Sequence, residues 1–434
     1  MSAPASTPAP ASDPLPVPGS STLSRIAAWC REQEHQDGYL ADLRRLVEQE
    51  SPSDDKPLLD ATADLLQELL AERLGEPTRT VRRRHPEAGD VIEAEYGGTA
   101  RGSRADAGAG AAPEAEDAPG PADATVTVVG HYDTVWPAGT AAGWPFTLAD
   151  GTASGPGVFD MKAGLAQGIW ALRALRELGL PRPTVRFVLN GDEETGSVVS
   201  RPFIEQATED AVATLVLEPG GEWGIKSGRK GVGIFTITVT GLEAHAGLDP
   251  AKGASAVHGL SDVIQSLVDA ADLERGTSVN IGRISGGTAR NVIAGEATCL
   301  VDVRVSAQEE IERMDRVLAG LATRDPRATV TVDGGWNRPP MLPGAGGRRL
   351  FALADGVAAG IREPLAELFV GGGSDANFVA ALGRPVLCGM GATGDGAHAR
   401  HEHVLLADLP DRVALTAGTL LGLAGEPAAR QPSS

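Results

Sequence analysis

Residues 184–196 read TVRFVLNGDEETG. An apolar, β-branched run of strand length ends in three consecutive carboxylates, Asp192, Glu193 and Glu194. Like charges in a row repel one another and resist burial, so in isolation the triplet reads as a solvated turn. The flanking segments change that reading. TVTVVGH at 125–131 is a second short β-branched run that ends in polar residues. MKAGLAQGIWALRALRELG at 161–179 has helical spacing, and ATLVLEP at 213–219 and GRPVLCGMG at 383–391 are further buried-strand candidates. Strands alternating with helices predict an α/β fold around a mostly parallel sheet. Such sheets bind ligands beyond the carboxyl ends of their strands, which is where the acidic and histidine-bearing segments fall.

From about residue 230 to 339 the pattern shifts. GVGIFTITVTG at 231–241 alternates, as a strand with one wet face does. A helix pattern (253–271), two strands (277–287 and 297–306), a helix (307–322) and a strand (328–335) follow. That order predicts an inserted α+β sandwich, ferredoxin-like, with the larger domain at 23–229 and 340–434 and GGGSDANFVAALG at 371–383 returning the chain to it. Upstream, LLDATADLLQELLAERLG at 58–75 repeats Leu and Ala on one face and stops at Gly75, within a largely helical stretch from Leu23 to Leu74. Residues 1–22 are expected to form a disordered Pro/Ala/Ser tail, and the Gly/Ala/Pro-rich stretch 97–124 an exposed loop between two strands.

A chain of 434 residues exceeds one ordinary core, and 42% hydrophobic with 22% charged residues fits a soluble globular protein. The formal charge of -20, with no basic cluster against it, argues against nucleic-acid binding. No apolar run approaches the ~20 residues of a membrane span, and the N-terminus lacks signal-peptide character, so a cytoplasmic enzyme is expected. Cys30, Cys299 and Cys388 are isolated, which suggests neither a disulfide framework nor a thiolate zinc site.

The polar residues at the strand ends form a set: His131, Asp133, Asp160, Glu193, Glu194, Glu218, and one or more of His398, His401 and His403. Histidine and carboxylate without cysteine suit Zn²⁺, with Co²⁺ or Mn²⁺ as substitutes. Two metals would share one carboxylate. His131 and Asp133, two apart on a strand, share a face, so the imidazole can bind metal while the carboxylate orients it. Of adjacent Glu193 and Glu194, one can ligate while the other serves as general base.

Seven stretches, GHYDTVW (130–136), GPGVFDMKAG (155–164), NGDEETGS (190–197), VLEPG (216–220), GLEAHAG (241–247), RNVIAGEA (290–297) and GDGAHARHEHV (394–404), together resemble the co-catalytic zinc metallopeptidases. That family includes glutamate carboxypeptidase, the aminoacylases, peptidase T and succinyl-diaminopimelate desuccinylase. The resemblance runs from about residue 23 to 425 and is greatest to glutamate carboxypeptidase. It implies two Zn²⁺ ions, with Asp160 bridging and a cis Asp160–Met161 bond. His131 and Glu218 resemble ligands of separate metals, and Glu194 and His398 the remaining ligands. His398 is favoured over His401 and His403 because Glu402 follows it by four, as in the family's terminal motif. Glu193 resembles the general base, Asp133 the residue that orients His131, and His245 the histidine that stabilises the tetrahedral intermediate, often across a dimer. Asn291 and Arg304 resemble a grip on the substrate carboxylate, and Lys226 and Arg338 further anion contacts. The implied protein is a homodimeric carboxypeptidase that releases an amino acid such as glutamate from a small peptide, or else an N-acyl amino acid deacylase. Two departures stand out: the family's secreted members carry a signal peptide, and Ala163 replaces a glycine in GPGVFDMKAG.

Overall fold

The protein is described here as a computed structural model covering residues 13–99 and 124–427. It divides into two units, one of residues 1–227, 343–368 and 382–434, the other of residues 228–342 and 369–381. The segment 371–383, expected to rejoin the larger domain at once, falls almost wholly in the second unit.

The first unit is built on an eight-stranded sheet ordered Arg79–Arg83, Val91–Tyr96, Thr184–Asn190, Thr125–His131, Ala213–Val216, Val386–Cys388, Gly224–Arg229 and Ala366–Val370. The four central strands are parallel to one another. Antiparallel strands border them on both sides. The central strands are buried on both faces, which accounts for their near-continuous apolar sequences. The helix Ala163–Glu177 buries twelve of its fifteen residues. Gly164 lets it close on the sheet, since a Cβ there would lie 2.0 Å from the Leu217 carbonyl oxygen. The helix Leu409–Leu423 is buried along its whole length.

The helical stretch before the sheet resolves into Ser20–Arg31, Gln33–Glu48 and Lys56–Leu74. Asp55 caps the third by accepting from Leu58 N–H at 3.1 Å. The expected tail of 1–22 is too long: Ser20 already begins a helix, Pro18 is buried and Leu15 packs against the core. Apolar Leu15 and Val17 punctuate this Pro-rich segment, and Gly356 leaves room for Val17, whose Cγ2 a Cβ there would meet at 2.6 Å. Residues 1–12, and 100–123 of the expected 97–124 loop, lie outside the described residues.

The second unit carries an antiparallel sheet ordered Ser278–Gly286, Glu296–Val305, Gly231–Thr240 and Thr329–Arg338. The helices Ala256–Asp269 and Gln308–Ala319 contribute Leu260, Val263, Leu267, Ile311, Met314 and Leu318 to the core that also holds Phe235, Ile237, Val239, Val301 and Val303. Strand, helix, two strands, helix, strand, with the first strand beside the third and fourth, is the ferredoxin-like arrangement.

Candidate metal centre

Parallel strands end at the same edge, and that edge gathers the polar set. His131 is the last residue of its strand. Glu193 and Glu194 form a short helical turn just beyond Asn190, and Glu218 lies two residues past Val216. Asp160 sits where the segment Val158–Lys162 breaks helical geometry, at φ -112° and ψ 95°, and its bond to Met161 is cis.

The donor atoms of His131, Asp160 and Glu194 lie within 4.8 Å of one another, as do those of His131, Glu193 and Glu218. The trios overlap at His131, but the shortest contacts divide the cluster differently. His131 Nε2 is 3.2 Å from Asp160 Oδ1 and 3.7 Å from Glu218 Oε1. His398 Nε2 is 3.5 Å from Asp160 Oδ2 and 3.2 Å from Glu194 Oε2. The two oxygens of Asp160 thus face two histidines, as a shared carboxylate must. His131 and Glu218, expected on separate metals, stand side by side instead. The reason is topological: their strands are parallel neighbours, so their ends meet.

Asp133 does more than the sequence suggested. Its Oδ1 is 3.4 Å from His131 Nδ1, whose nearer partner is the Asp133 backbone carbonyl at 3.1 Å. The same carboxylate accepts from the backbone N–H of Glu193 at 3.2 Å and of Glu194 at 3.1 Å, and from Ser53 Oγ–H at 2.8 Å. It therefore fixes the imidazole and the acidic turn together. Ser53, on a distant loop, left no signal in the sequence.

The electrostatics call for a cation. Burial pushes the Glu194 carboxyl up to about 7, and the nearby Asp160 and Glu193 charges reinforce this against the His398 contact. Contacts with Asp160 and Glu194 push His398 up to about 10. Burial opposes charge on His131, yet the Asp133 and Asp160 carboxylates raise it well above its ordinary value. Burial likewise opposes ionisation of Asp160, but the two imidazoles hold its carboxyl far below the usual range. Without a metal, the carboxylates favour positive charge on the imidazoles, at the positions where a metal would take the proton's place. Glu194 Oε1 is buried and has no hydrogen-bond partner among the described residues. An oxygen and nitrogen donor set with one orphaned buried carboxylate oxygen fits divalent cations.

Neither His401 nor His403 joins the grouped donors: His401 lies on an exposed turn, and His403, half-buried, opens the strand His403–Leu405 with Nδ1 2.8 Å from the His401 carbonyl. Lys226 is on the strand Gly224–Arg229, opposite Cys388. The other expected residues belong to the second unit. The Ala244–His245 strand pairs with Val292–Ile293, next to Asn291, whose carbonyl accepts from Ala246 N–H at 2.9 Å. His245 Nδ1 accepts from the N–H groups of Gly247 and Leu248 at 3.1 and 3.0 Å, so the neutral ring carries its proton on Nε2. Arg304 places Nε and Nη2 on the two oxygens of Asp302, both at 2.7 Å. Arg338 is buried, 3.4 Å from Asp375 and 2.9 Å from Asn337 Oδ1.

A parallel-sheet hydrolase fold with a carboxylate–histidine cluster at its strand ends defines a metallopeptidase-like class, and the comparisons with known proteins sharpen this. The profile described as Peptidase family M20/M25/M40 matches residues 127–422, and the chain belongs to that family. It is 31% identical over 306 residues to carboxypeptidase G2 of a Pseudomonas species, covering 68% of this chain and 73% of that one. It is 29% identical over 307 residues to succinyl-diaminopimelate desuccinylase of Xanthomonas campestris, covering 65% and 80%. In fold it is similar to aminopeptidase PepT of Bacillus cereus, with a TM-score of 0.70 at 21% identity over 90% of this chain and 99% of that chain. No helix among the described residues is long and apolar enough to cross a membrane.

Proposed function

We propose that the protein is a homodimeric, dinuclear metal-dependent hydrolase of amide bonds beside a free carboxylate, most specifically a carboxypeptidase releasing an amino acid such as glutamate. The observation that carries the reading is Asp160, whose two oxygens face the two histidines of a five-residue ligand set, His131, Asp160, Glu194, Glu218 and His398. Two Zn²⁺ ions, or Co²⁺ or Mn²⁺ in their place, would supply a water of lowered pKa and polarise the scissile carbonyl. Glu193 takes the proton of the attacking water on its carboxylate and returns it to the leaving nitrogen. Asp133 holds His131 and the Glu193–Glu194 turn in register for this. His245 donates its Nε2–H to the developing oxyanion, in its own or a partner subunit's site. Arg304 and Asn291 receive the substrate carboxylate, with Lys226 and Arg338 as further anion contacts.

Similarity to a carboxypeptidase supports this reading, while similarity to a desuccinylase favours an N-acyl amino acid deacylase as the second. A screen of dipeptides and N-acyl amino acids, with and without chelator, tests both. Chelator-sensitive release of a C-terminal amino acid from dipeptides is expected. Preference for N-acyl amino acids selects the second reading, and full activity in stripped, metal-free protein refutes both.

A further inference from the structure

Glu402 lies outside the proposed ligand set, yet it is fully buried and its carboxylate is saturated with donors. Oε1 accepts from the backbone N–H of Phe159 at 2.9 Å and of Asp160 at 3.0 Å. Oε2 accepts from Gly157 N–H at 3.1 Å and from the Trp136 indole at 2.9 Å. A carboxylate offers about four lone-pair sites, and here four donors fill them. Glu402 is itself anchored, its N–H donating to Ala399 O at 2.9 Å and its carbonyl accepting from Ser154 Oγ–H at 2.8 Å.

These contacts join three pieces of chain. Trp136 follows His131 by five residues, Gly157 to Asp160 form the irregular turn that presents the shared carboxylate, and Ala399 adjoins His398. Asp160 and Met161 have non-helical dihedrals, and Gly157, three residues before Asp160, has φ 72°, so regular helical geometry is interrupted where the carboxylate is presented. Three of its N–H groups instead converge on one side chain.

We infer that Glu402 is the positioning residue of the centre: it clamps the Asp160 turn to the segments bearing His131 and His398, and so sets the spacing that lets one carboxylate serve two metals. The inference rests on the proposed metal reading. Glutamine is the informative replacement, because it keeps the shape but offers one acceptor oxygen and an NH₂ group. At least two of the four donors would then face another donor.

The experiment compares wild-type, Glu402→Gln and Trp136→Phe proteins, the last losing the indole donor while keeping an aromatic ring beside Trp144 and Arg400. Metal affinity is measured by titrating Zn²⁺ into metal-free protein, turnover in the loaded enzyme, and hydrogen exchange over 155–162 in the metal-free protein. Glu402→Gln is expected to weaken metal binding by about 10–100-fold, the range for groups that orient ligands. It should lower kcat more than it raises KM and speed exchange at Gly157, Phe159 and Asp160. Trp136→Phe should shift affinity in the same direction and less. Wild-type affinity, kcat and exchange in Glu402→Gln would overturn the inference, as would a lowered Tm with affinity unchanged in the folded fraction. If Glu402→Gln does not fold, Trp136→Phe decides by the same criterion. Wild-type protein that binds no metal would refute the metal reading itself, and exchange over 155–162 would still report whether the clamp exists.

Discussion

The two sides of the candidate centre share Asp160 but are not equivalent. On one side the His131 side chain is 2% exposed, with Nδ1 against Asp133 and Nε2 against Asp160 and Glu218. On the other, His398 is 52% exposed, sits at φ 61° on a turn, and faces Asp160 and Glu194 through Nε2. A buried imidazole held at both nitrogens has little freedom to leave a metal. A half-exposed one on an irregular turn opens at lower cost, because few buried contacts resist the motion. Sharing a carboxylate does not make the two proposed metal positions equal, because each also depends on how its histidine is held.

The largest expected effect separates chemistry from metal holding altogether. Glu193→Gln should retain metal and lose about three orders of magnitude in kcat, within the range that general base catalysis supplies. Metal content by mass spectrometry, alongside turnover, checks this. If instead Glu194→Gln keeps its full metal content and is the inactive variant, the roles of the adjacent pair are exchanged.

The comparison itself predicts stepwise metal loss. Titration with a chelator should remove the equivalent on the His398 side first. His398→Ala should then retain about one equivalent of metal, whereas His131→Ala, which also strands Asp133 and Glu218, should retain less. Equal retention by the two variants would show that burial does not rank the positions. A gentler probe of the same asymmetry is Asp133→Asn, expected to cost about 10–100-fold in metal affinity, since groups that orient ligands typically contribute that much. Asp133 also fastens the Glu193–Glu194 turn, so kcat should fall with affinity.

Much of this architecture was legible because it depends on chemistry that leaves a pattern. Buried parallel strands require continuous apolar runs, and ligands at their ends require charges where charges are otherwise costly, so residues 125–131, 184–196 and 213–219 announced themselves. Arg79–Arg83 did not, because an edge strand carries charged side chains, and Val91–Tyr96, second in the sheet, was implied only as the strand before the 97–124 loop. The pairing of His131 with Glu218 was equally hidden. It follows from strand order, which periodicity does not encode. Leu15 and Pro18 were hidden inside a Pro/Ala composition that reads as tail, since the docking of this segment depends on distant partners such as Gly356, which faces Val17. Arg304 was expected to grip a substrate carboxylate, and only coordinates could place Asp302 in its fork.

That last contact supplies the smallest expected effect, and one that should leave both sides of the centre untouched. Asp302 engages Nε and Nη2 of Arg304 in the geometry a substrate carboxylate would use, so substrate must displace it or settle for Nη1. Both side chains are about one-third exposed, at 31% and 36%, and exposed pairs are worth about 0–1 kcal/mol. Displacement is therefore cheap but not free. Asp302→Asn removes the competing charge while keeping the shape, and KM should fall by up to about fivefold, the factor that corresponds to 1 kcal/mol. Metal content and kcat should stay at wild-type levels, because Asp302 belongs to the second unit and its carboxylate bonds Arg304, which is not a proposed ligand. Steady-state kinetics on the best substrate from the screen checks the shift. If KM rises instead, Asp302 aims the guanidinium at substrate rather than competing for it. If KM does not move while Arg304→Ala also leaves it unchanged, Arg304 holds no substrate carboxylate and its pair with Asp302 is part of the strand's own structure.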